Sequence, residues 1–217
     1  FEWDDNRKLD RGKVMTRADL DTHRDFGRYL DVDGDGIPFR TYPGTHPSRG
    51  SFFTRGTTRD AYARYTEEGG PYIENMERLL RKFETAKSYV PAPIVEMAAG
   101  GTRLGVIHYG STAAPMEEAT QILARQGVKL DVMRVRGFPF ARSVDEFIAA
   151  HDKVFVVEQN RDAQLRTLLM TENGASPDKL VSVLHYDGSP VTARFIAHAI
   201  GELVKGADVR TREGALS

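Results

Sequence analysis

The chain has 217 residues with 30 basic and 31 acidic side chains, so its charge gives no reason to expect nucleic acid or an anionic membrane as a partner. It contains no cysteine, which excludes disulfides, thiolate metal sites, a cysteine nucleophile and an iron–sulfur cluster held by its own cysteines. No apolar run approaches the roughly 20 residues that a membrane helix needs, so we expect a cytoplasmic protein. Because the sequence begins at Phe1 rather than Met, we also expect a piece of a longer polypeptide.

The N-terminal part of the chain contains two predicted helices. Thr16 followed by Asp19 is an N-cap pattern, and the apolar residues after it predict a helix ending near residue 30. Pro71 suits a first helical turn, and the apolar spacing that follows predicts a second helix over residues 71–87 with a charged opposite face. The apolar positions of this second helix are Ile73, Met76, Leu79, Leu80 and Phe83.

The rest of the chain alternates short apolar runs with amphipathic helical patterns. Strands are predicted at 103–109, 129–135, 153–158 and 179–185, and helices at 115–126, 143–150, 162–172 and 190–206. Ser143 with Glu146 makes a capping-box pattern, and the strand at 153–158 is apolar on both faces, as a strand covered by helices on each side should be. The pattern predicts an α/β fold whose mainly parallel sheet has helices on both faces, with right-handed crossovers.

We therefore expect two parts, a helical and loop-rich arm over residues 1–93 and the α/β domain over residues 94–217. The phrase VPAPI at 90–94 predicts a stiff connector between them.

A long irregular segment, residues 31–59, separates the two N-terminal helices. Its three prolines and five glycines exclude a long helix or a central strand. Its aromatic residues argue against a disordered linker. We expect either a functional loop or an arm that packs against another chain. The aromatic residues are Phe39, Tyr42, Phe52 and Phe53.

The second half of this segment carries residues suited to an anionic substrate. Guanidinium groups bind carboxylates and phosphates through two parallel hydrogen bonds, and binding residues often gather on long loops. The alternative is a structural set of arginines that bind loop carbonyls and acidic neighbours. The candidate residues are Thr45, His46, Arg49, Arg55 and Arg59.

The first half matches the opening of a calcium-binding loop. Asp31, Asp33 and Asp35 have the spacing that directs three carboxylates at one ion, and Gly36 suits the sharp turn. The twelfth position, which should be a bidentate Glu, is Tyr42. The alternative is a tight turn in which the Asp side chains accept hydrogen bonds from nearby backbone amides.

A second candidate anion site is the turn Gly110–Ser111–Thr112, which leads from a strand into a helix N-terminus. Ordinary capping by its hydroxyl groups is the alternative. His108 and His185 lie near strand ends, where we expect buried imidazoles with satisfied hydrogen bonds rather than catalytic groups.

Several phrases of the sequence together resemble one family. The phrases run along the chain as FGRYLDVDGDGIPFRTYPGTHPSRGSFFTRG (26–56), RLLRKFETAK (78–87), VPAPI (90–94), VFVVEQN (154–160) and VLHYDGSP (183–190). Together they resemble the C-terminal part of the alpha subunit of thiamine-dependent 2-oxoacid:ferredoxin oxidoreductases, in particular the 2-oxoglutarate type. The resemblance implies that residues 1–93 complete the pyrimidine-side thiamine domain and its linking arm. It also implies that residues 94–217 are similar to the C-terminal domain of transketolases.

In that family, 2-oxoglutarate and coenzyme A give succinyl-coenzyme A and carbon dioxide, and two electrons leave to ferredoxin. Thiamine diphosphate supplies the carbanion chemistry. The resemblance implies that the diphosphate, its magnesium ion and a 4Fe–4S cluster lie mainly on the beta subunit. The implied partners are the beta subunit, the upstream part of the alpha subunit, and, through the complex, ferredoxin and coenzyme A.

The sequence departs from the family pattern at one point. It contains no Tyr-Pro-Ile-Thr-Pro motif and no counterpart of the substrate-carboxylate arginine, so no catalytic residue can be assigned by matching and we expect the chain to be inactive alone. Two other interpretations remain open. The chain could be a non-catalytic assembly module, or a stand-alone nucleotide- or flavin-binding α/β domain with its ligand at Gly110–Thr112.

Overall fold

The computed structural model describes residues 3–23, 25–53 and 56–206. Contacts between Cα atoms divide the chain into two compact units, Phe1–Ser88 and Tyr89–Ser217. Within the described part, none of the helices has the length and hydropathy needed to cross a membrane.

The second unit contains a five-stranded sheet in the order β1-β3-β2-β4-β5. Strands β2 to β5 pair in parallel, and the edge strand β1 pairs with β3 in the antiparallel direction. The strands are β1 (Ile94–Glu96), β2 (Leu104–Tyr109), β3 (Asp131–Val135), β4 (Lys153–Glu158) and β5 (Leu180–Leu184). The helices are α3 (Ala113–Arg125), α4 (Arg142–Ala150), α5 (Gln164–Asn173) and α6 (Ala193–Val204), with a 3-10 turn at Gly110–Thr112.

Helices cover both faces of the sheet. One core packs α3 and α6 against side chains such as Phe155 and Val157 of β4, and the other packs α4 and α5 against Val154 and Val156 of the same strand. Successive side chains of a strand point to opposite faces, so an apolar run is what a strand buried on both sides requires. The predicted α/β class, with a mainly parallel sheet covered on both faces, is confirmed.

Two local features of this unit differ from the predictions. Residues 94–96 form the edge strand β1, which the sequence did not predict, because three residues are too few to show a strand pattern. Helix α4 begins at Arg142 after Ala141 and has no side-chain cap, so the capping box of Ser143 and Glu146 does not form. The capping-box pattern lies inside the helix rather than at its start.

The first unit contains α1 (Arg17–Thr22) and α2 (Gly69–Ala86). The N-cap at Thr16 is confirmed, and with Asp19 it forms a capping box, but α1 ends at Thr22 and not near residue 30. The backbone is already extended at His23, and further along the chain an added Cβ on Gly27 would lie 2.6 Å from the carbonyl oxygen of Ala61. Residues 31–53, as predicted, contain neither a helix nor a strand longer than an isolated bridge.

Helix α2 directs its polar face at residues 31–37. The guanidinium of the buried Arg78 donates to the carbonyl oxygen of Gly36 at 2.9 Å, and the Thr85 hydroxyl donates to that of Asp35 at 2.6 Å. Gly36 lies so close to the helix that an added Cβ would be 2.3 Å from the backbone nitrogen of Lys82. The contact with the loop is therefore made by hydrogen bonds and backbone packing.

The apolar side of α2 lies outward, contrary to what its amphipathic pattern led us to expect. Ile73 is 58% exposed, Leu80 is 69% exposed and Phe83 is 50% exposed. We call Ile73, Met76, Leu80 and Phe83 the α2 stripe. Their spacing of three and four residues places them along one side of the helix. Exposed apolar surface of this kind is typical of an interaction face.

Candidate functional site

A cavity of about 730 Å³ opens at the carboxyl ends of β2 and β3. Tyr109 ends β2, Arg134 and Arg136 come from the end of β3 and the loop after it, and Gln164 begins α5. Phe138 adds an aromatic side wall. Ligands of α/β sheets bind outside the carboxyl ends of the strands, so this cavity is the first candidate for a binding site.

The neighbouring crevice, between β2 and β4, is filled by the protein itself. The chain leaves β2 for the face covered by α3 and leaves β4 for the face covered by α5, so these strands form the switch point of the sheet. The Gln159 side-chain amide donates to the hydroxyl oxygens of Ser111 at 2.9 Å and Thr112 at 3.3 Å. Gln159 therefore lies across the turn at which we predicted an anion.

These contacts favour the structural alternative for Gly110–Ser111–Thr112. Thr112 is buried and its hydroxyl is paired, while Gly110 and Ser111 are exposed at the surface. The backbone of Gly110 has φ +58°, a left-handed conformation that glycine adopts without strain. A stand-alone nucleotide-binding domain with its ligand at this turn finds no support here.

The N-terminus of α5 is likewise occupied by the protein's own carboxylate. Glu158, at the end of β4, is fully buried and accepts hydrogen bonds from the backbone N–H of Leu165 at 2.6 Å and Arg166 at 3.0 Å. Asn160 donates its side-chain amide to the same carboxylate at 2.8 Å. Because Ala163, the N-cap residue, has no side chain that could cap the helix, Glu158 satisfies the free amides in its place.

The candidate loop in the first unit is organised by its own hydrogen bonds. The buried hydroxyl of Thr41 donates to the carbonyl oxygen of Gly50 at 2.9 Å, and the Thr45 N–H donates to that of Tyr42 at 3.2 Å. Gly50 packs so closely that an added Cβ would be 2.7 Å from the backbone nitrogen of His46. The loop is a compact turn structure rather than an extended strand.

His46 uses both ring nitrogens within the protein. Its Nδ1 accepts from the backbone N–H of Ser48 at 3.2 Å and Arg49 at 3.1 Å. The hydrogen of the ring is therefore on Nε2, which lies 3.1 Å from a carboxylate oxygen of Asp21 and donates to it. These contacts orient the imidazole and leave it no unused hydrogen-bonding atom, which favours a structural role.

The two clamp arginines that the structure describes, Arg49 and Arg59, do not converge on one ligand position. Arg49 donates to the carbonyl oxygens of Leu20 and His23, at the C-terminal end of α1. Arg59 is buried against Tyr65, with its guanidinium carbon 5.7 Å from the ring centroid, and its Nε has no hydrogen-bond partner among the described residues. Arg55 lies outside the described residues, so its predicted role stays a prediction.

The three aspartates of the calcium-like loop do come together. Asp31, Asp33 and Asp35 each offer a carboxylate oxygen, and these atoms lie within 4.8 Å of one another. The ammonium of Lys13 lies 2.7 Å from Asp33 and 2.6 Å from Asp35, and donates to the carbonyl oxygen of Ile37 at 3.1 Å. The hydrogen bond from Lys13 holds the pKa of Asp35 below its ordinary value.

A lysine ammonium thus lies among the oxygens that a calcium ion would use. Asp31 faces Arg81, at 3.2 Å, and accepts the backbone N–H of Gly36 at 3.0 Å. The geometry favours the alternative of a hydrogen-bonded turn. Metal binding by Asp31, Asp33 and Asp35 stays a prediction, and an ion would have to displace Lys13.

His108 and His185 are both buried, as expected, but they are not fully satisfied. The Nδ1 atom of each has no hydrogen-bond partner within the described ranges. His108 lies on β2 beside Arg134 of β3, and it lines a smaller cavity of about 310 Å³ beneath α3. Burial, together with the charge of Arg134, lowers the pKa of His108 from 6.5 to about 4.

We expect this histidine to make the protein less stable in mild acid. The unfolded chain binds a proton at His108 near pH 6.5, whereas the folded chain binds it near pH 4. The free energy of unfolding should therefore fall as the pH drops from 6.5 to 4, by about 3 kcal/mol in total from this group. Urea unfolding across this range measures the effect. His108→Leu should remove this part of the pH dependence, which His198→Leu, at an exposed position of α6, should retain.

Among the described residues that line the carboxyl-edge cavity, the sequence singled out only Gly110, as part of the candidate anion turn. The aromatic ring of Phe138 and the guanidinium of Arg136 lie in the phrase RGFPF, directly after a predicted strand. A loop at that position carrying both charge and aromatic rings was a usable signal, since parallel strands place such loops at the binding edge. No comparable sequence pattern indicated that Lys13 would lie among the three aspartates or that Gln159 would lie across the Gly110–Thr112 turn.

The sheet, its two helical layers and its carboxyl-edge cavity define a doubly wound α/β domain, preceded by a loop-rich unit. No family model matches the chain. It is 30% identical over 209 residues to the protein named 2-oxoacid:ferredoxin oxidoreductase 2, subunit alpha, of Aeropyrum pernix. That match covers 93% of this chain and 32% of the relative, so the chain spans about a third of the relative's length. The resemblance to the alpha subunit of 2-oxoacid:ferredoxin oxidoreductases is thereby confirmed.

One solved structure gives a similar picture of the fold. The 2-oxoglutarate:ferredoxin oxidoreductase of Magnetococcus marinus, solved with 2-oxoglutarate, coenzyme A and succinyl-CoA bound, matches with a TM-score of 0.70 and 23% identity. The match covers 82% of this chain and 30% of that chain. A split-gene transketolase matches 52% of this chain with a TM-score of 0.41 and 19% identity.

Proposed function

We propose that the chain is part of the alpha subunit of a thiamine-dependent 2-oxoglutarate:ferredoxin oxidoreductase. The reaction converts 2-oxoglutarate, coenzyme A and oxidised ferredoxin into succinyl-CoA, carbon dioxide and reduced ferredoxin. The observation that carries the proposal is the 30% identity to an alpha subunit over 93% of the chain. The preference for 2-oxoglutarate is supported by the phrases at 26–56 and 183–190.

The chain's own residues do not fit the cofactors of such an enzyme. A 4Fe–4S cluster needs cysteine ligands, and the sequence contains none. A magnesium ion needs open carboxylates, whereas the Asp31, Asp33 and Asp35 group surrounds the ammonium of Lys13. The resemblance implies that thiamine diphosphate, magnesium and the cluster lie mainly on the beta subunit, and the lack of cysteine in this chain agrees with that for the cluster. This chain contributes scaffold and contact surface.

The α2 stripe supports a role in assembly. An amphipathic helix normally buries its apolar side, but the contacts of α2 with residues 31–37 use Arg78, Thr85 and the helix backbone. Ile73, Met76, Leu80 and Phe83 are left at the surface. An interface with the upstream part of the alpha subunit or with the beta subunit would bury these four side chains.

Reconstitution of the complex tests the proposal. We expect the chain alone to have no activity, and the chain joined to an upstream alpha portion and a beta subunit to reduce a low-potential acceptor when 2-oxoglutarate and coenzyme A are present.

Leu80→Glu should reduce co-purification of the subunits about ten-fold or more, because it places a charge on an apolar interface. Glu77→Gln, at an exposed polar position of the same helix, is the matched control. Faster turnover of pyruvate than of 2-oxoglutarate would contradict the substrate assignment.

A further inference from the structure

We propose that the carboxyl-edge cavity binds an organic anion with a flat, apolar body. Its volume of about 730 Å³ lies within the usual range for small-molecule sites. The only charged residues among the described residues that line it are Arg134 and Arg136. The side chain of Arg134 lies on the α3 face of the sheet beside His108, so Arg136 supplies the guanidinium group of this cavity. A site with a guanidinium group and no carboxylate selects for negative charge. The proposal concerns this domain's own cavity and does not depend on the identity of the parent enzyme.

Arg136 has hydrogen-bonding capacity to spare. The Nε of Arg136 donates to the carbonyl oxygen of Ala92 at 2.8 Å, which fixes the side chain. Its terminal nitrogens make no hydrogen bond among the described residues. A carboxylate or phosphate oxygen satisfies such donors. The cavity therefore has the donors for an anion but no acidic group that would neutralise them.

The side walls suit a planar group. Tyr109 is 40% exposed and Phe138 is 42% exposed, so each presents part of its ring to the cavity side of the sheet. Phe140 supports Phe138 from below, with the ring centroids 5.3 Å apart in an edge-to-face arrangement. Leu165 adds an apolar surface from the first turn of α5. Aromatic and aliphatic surface of this kind binds flat apolar bodies.

The walls are held in place before any ligand binds. An added Cβ on Gly137 would lie 3.0 Å from Val90 Cβ and 3.3 Å from Pro91 Cδ, so the loop after β3 rests directly on the preceding connector. The opposite wall begins at the N-terminus of α5, which the buried carboxylate of Glu158 fixes through Leu165. A preformed site loses less conformational entropy on binding.

Two ligand sources share this chemistry, an aromatic carboxylate and a nucleoside phosphate. Isothermal titration with 2-naphthoate, against neutral 2-naphthylmethanol, tests the first, and titration with AMP, against adenosine, tests the second. We expect at least one of the two anions to bind about ten-fold or more tightly than its neutral analogue. Amide chemical-shift changes should centre on residues 109–110 and 134–140.

Variants locate the binding. Arg136→Gln and Phe138→Ala should each weaken the binding anion about ten-fold, and unfolding midpoints equal to that of the unaltered chain establish that the variants are folded. Arg142→Gln is the matched control, because that exposed side chain lies outside the cavity and pairs with Glu146. The proposal is overturned if neither anion binds, if the neutral analogues bind equally well, or if Arg136→Gln and Arg142→Gln have the same affinity.

Discussion

Asp131→Ala is expected to lower the free energy of unfolding by about 3–5 kcal/mol, because it removes one partner of a buried polar pair. Asp131 and His151 are each 2% exposed, and a carboxylate oxygen lies 3.0 Å from the imidazole Nε2. The other carboxylate oxygen accepts the backbone N–H of Ala98 at 2.7 Å. The single side chain thus joins the end of β1, the start of β3 and the C-terminal end of α4.

The hydrogen-bond pattern determines where the protons are. The Nδ1 of His151 lies 2.6 Å from the carbonyl oxygen of Phe147, which can only accept, so Nδ1 carries a hydrogen. The hydrogen bond between Nε2 and the Asp131 carboxyl group then contains one further proton. In Asp131→Ala, both the Ala98 N–H and the second imidazole nitrogen lose their partner in a site that water does not reach.

The cost is measured by urea unfolding monitored by circular dichroism. Asp152→Ala is the matched control, since Asp152 is exposed and pairs with Arg103 at the surface, where loss of the pair should cost much less than loss of the buried pair. Asp131→Asn retains an oxygen for Ala98 and an amide N–H for a neutral His151, so we expect it to cost clearly less than Asp131→Ala. An Asp131→Ala variant as stable as Asp152→Ala would contradict the structural role.

Glu158→Ala is expected to have an effect of similar size, about 3–5 kcal/mol, by a different mechanism. The carboxylate is fully buried and accepts three hydrogen bonds, from two backbone amides of α5 and from the Asn160 side chain. Removing it leaves those donors without acceptors at the positive end of a helix dipole. Helix α5 should then fray from its N-terminus.

Two measurements separate this mechanism from general destabilisation. Hydrogen exchange at the amides of Leu165 and Arg166 should accelerate more in Glu158→Ala than exchange at Leu169, which lies buried further along α5. Glu172→Ala, at an exposed position near the end of the same helix, should change stability by less than about 0.5 kcal/mol. Uniform acceleration across α5 would argue against a capping role for Glu158.

Much of the fold could be predicted because the local signals agree with it. The strand at 153–158 has the same bounds in the structure as in the prediction, since its unbroken apolar run fits burial on both faces. Helix α1 shows the limit of such signals. Its N-cap at Thr16 was readable, but the apolar residues after Thr22 wrongly extended the helix to near residue 30, where Gly27 instead packs against Ala61, 34 positions away along the chain.

The candidate sites were predicted less well than the fold, because residue type and spacing do not reveal which partner a side chain has. The spacing of Asp31, Asp33 and Asp35 correctly predicted that the three carboxylates lie close together. It did not predict that Lys13, 20 residues from Asp33, lies among them. The apolar repeat of α2 was likewise readable as a helix face. Nothing in the repeat indicated that the face lies outward.

The sequence by itself determined the element types, the parallel sheet with two helical layers, and the resemblance to an alpha subunit, because periodicity and characteristic phrases are local properties. Only the tertiary structure decided the partners of the polar groups. His151 lies 20 residues from Asp131, and Gln159 lies 48 residues from Ser111. Hydrogen bonds between such residues depend on how strands and helices pack, and their energies come from burial, which no single stretch of sequence specifies.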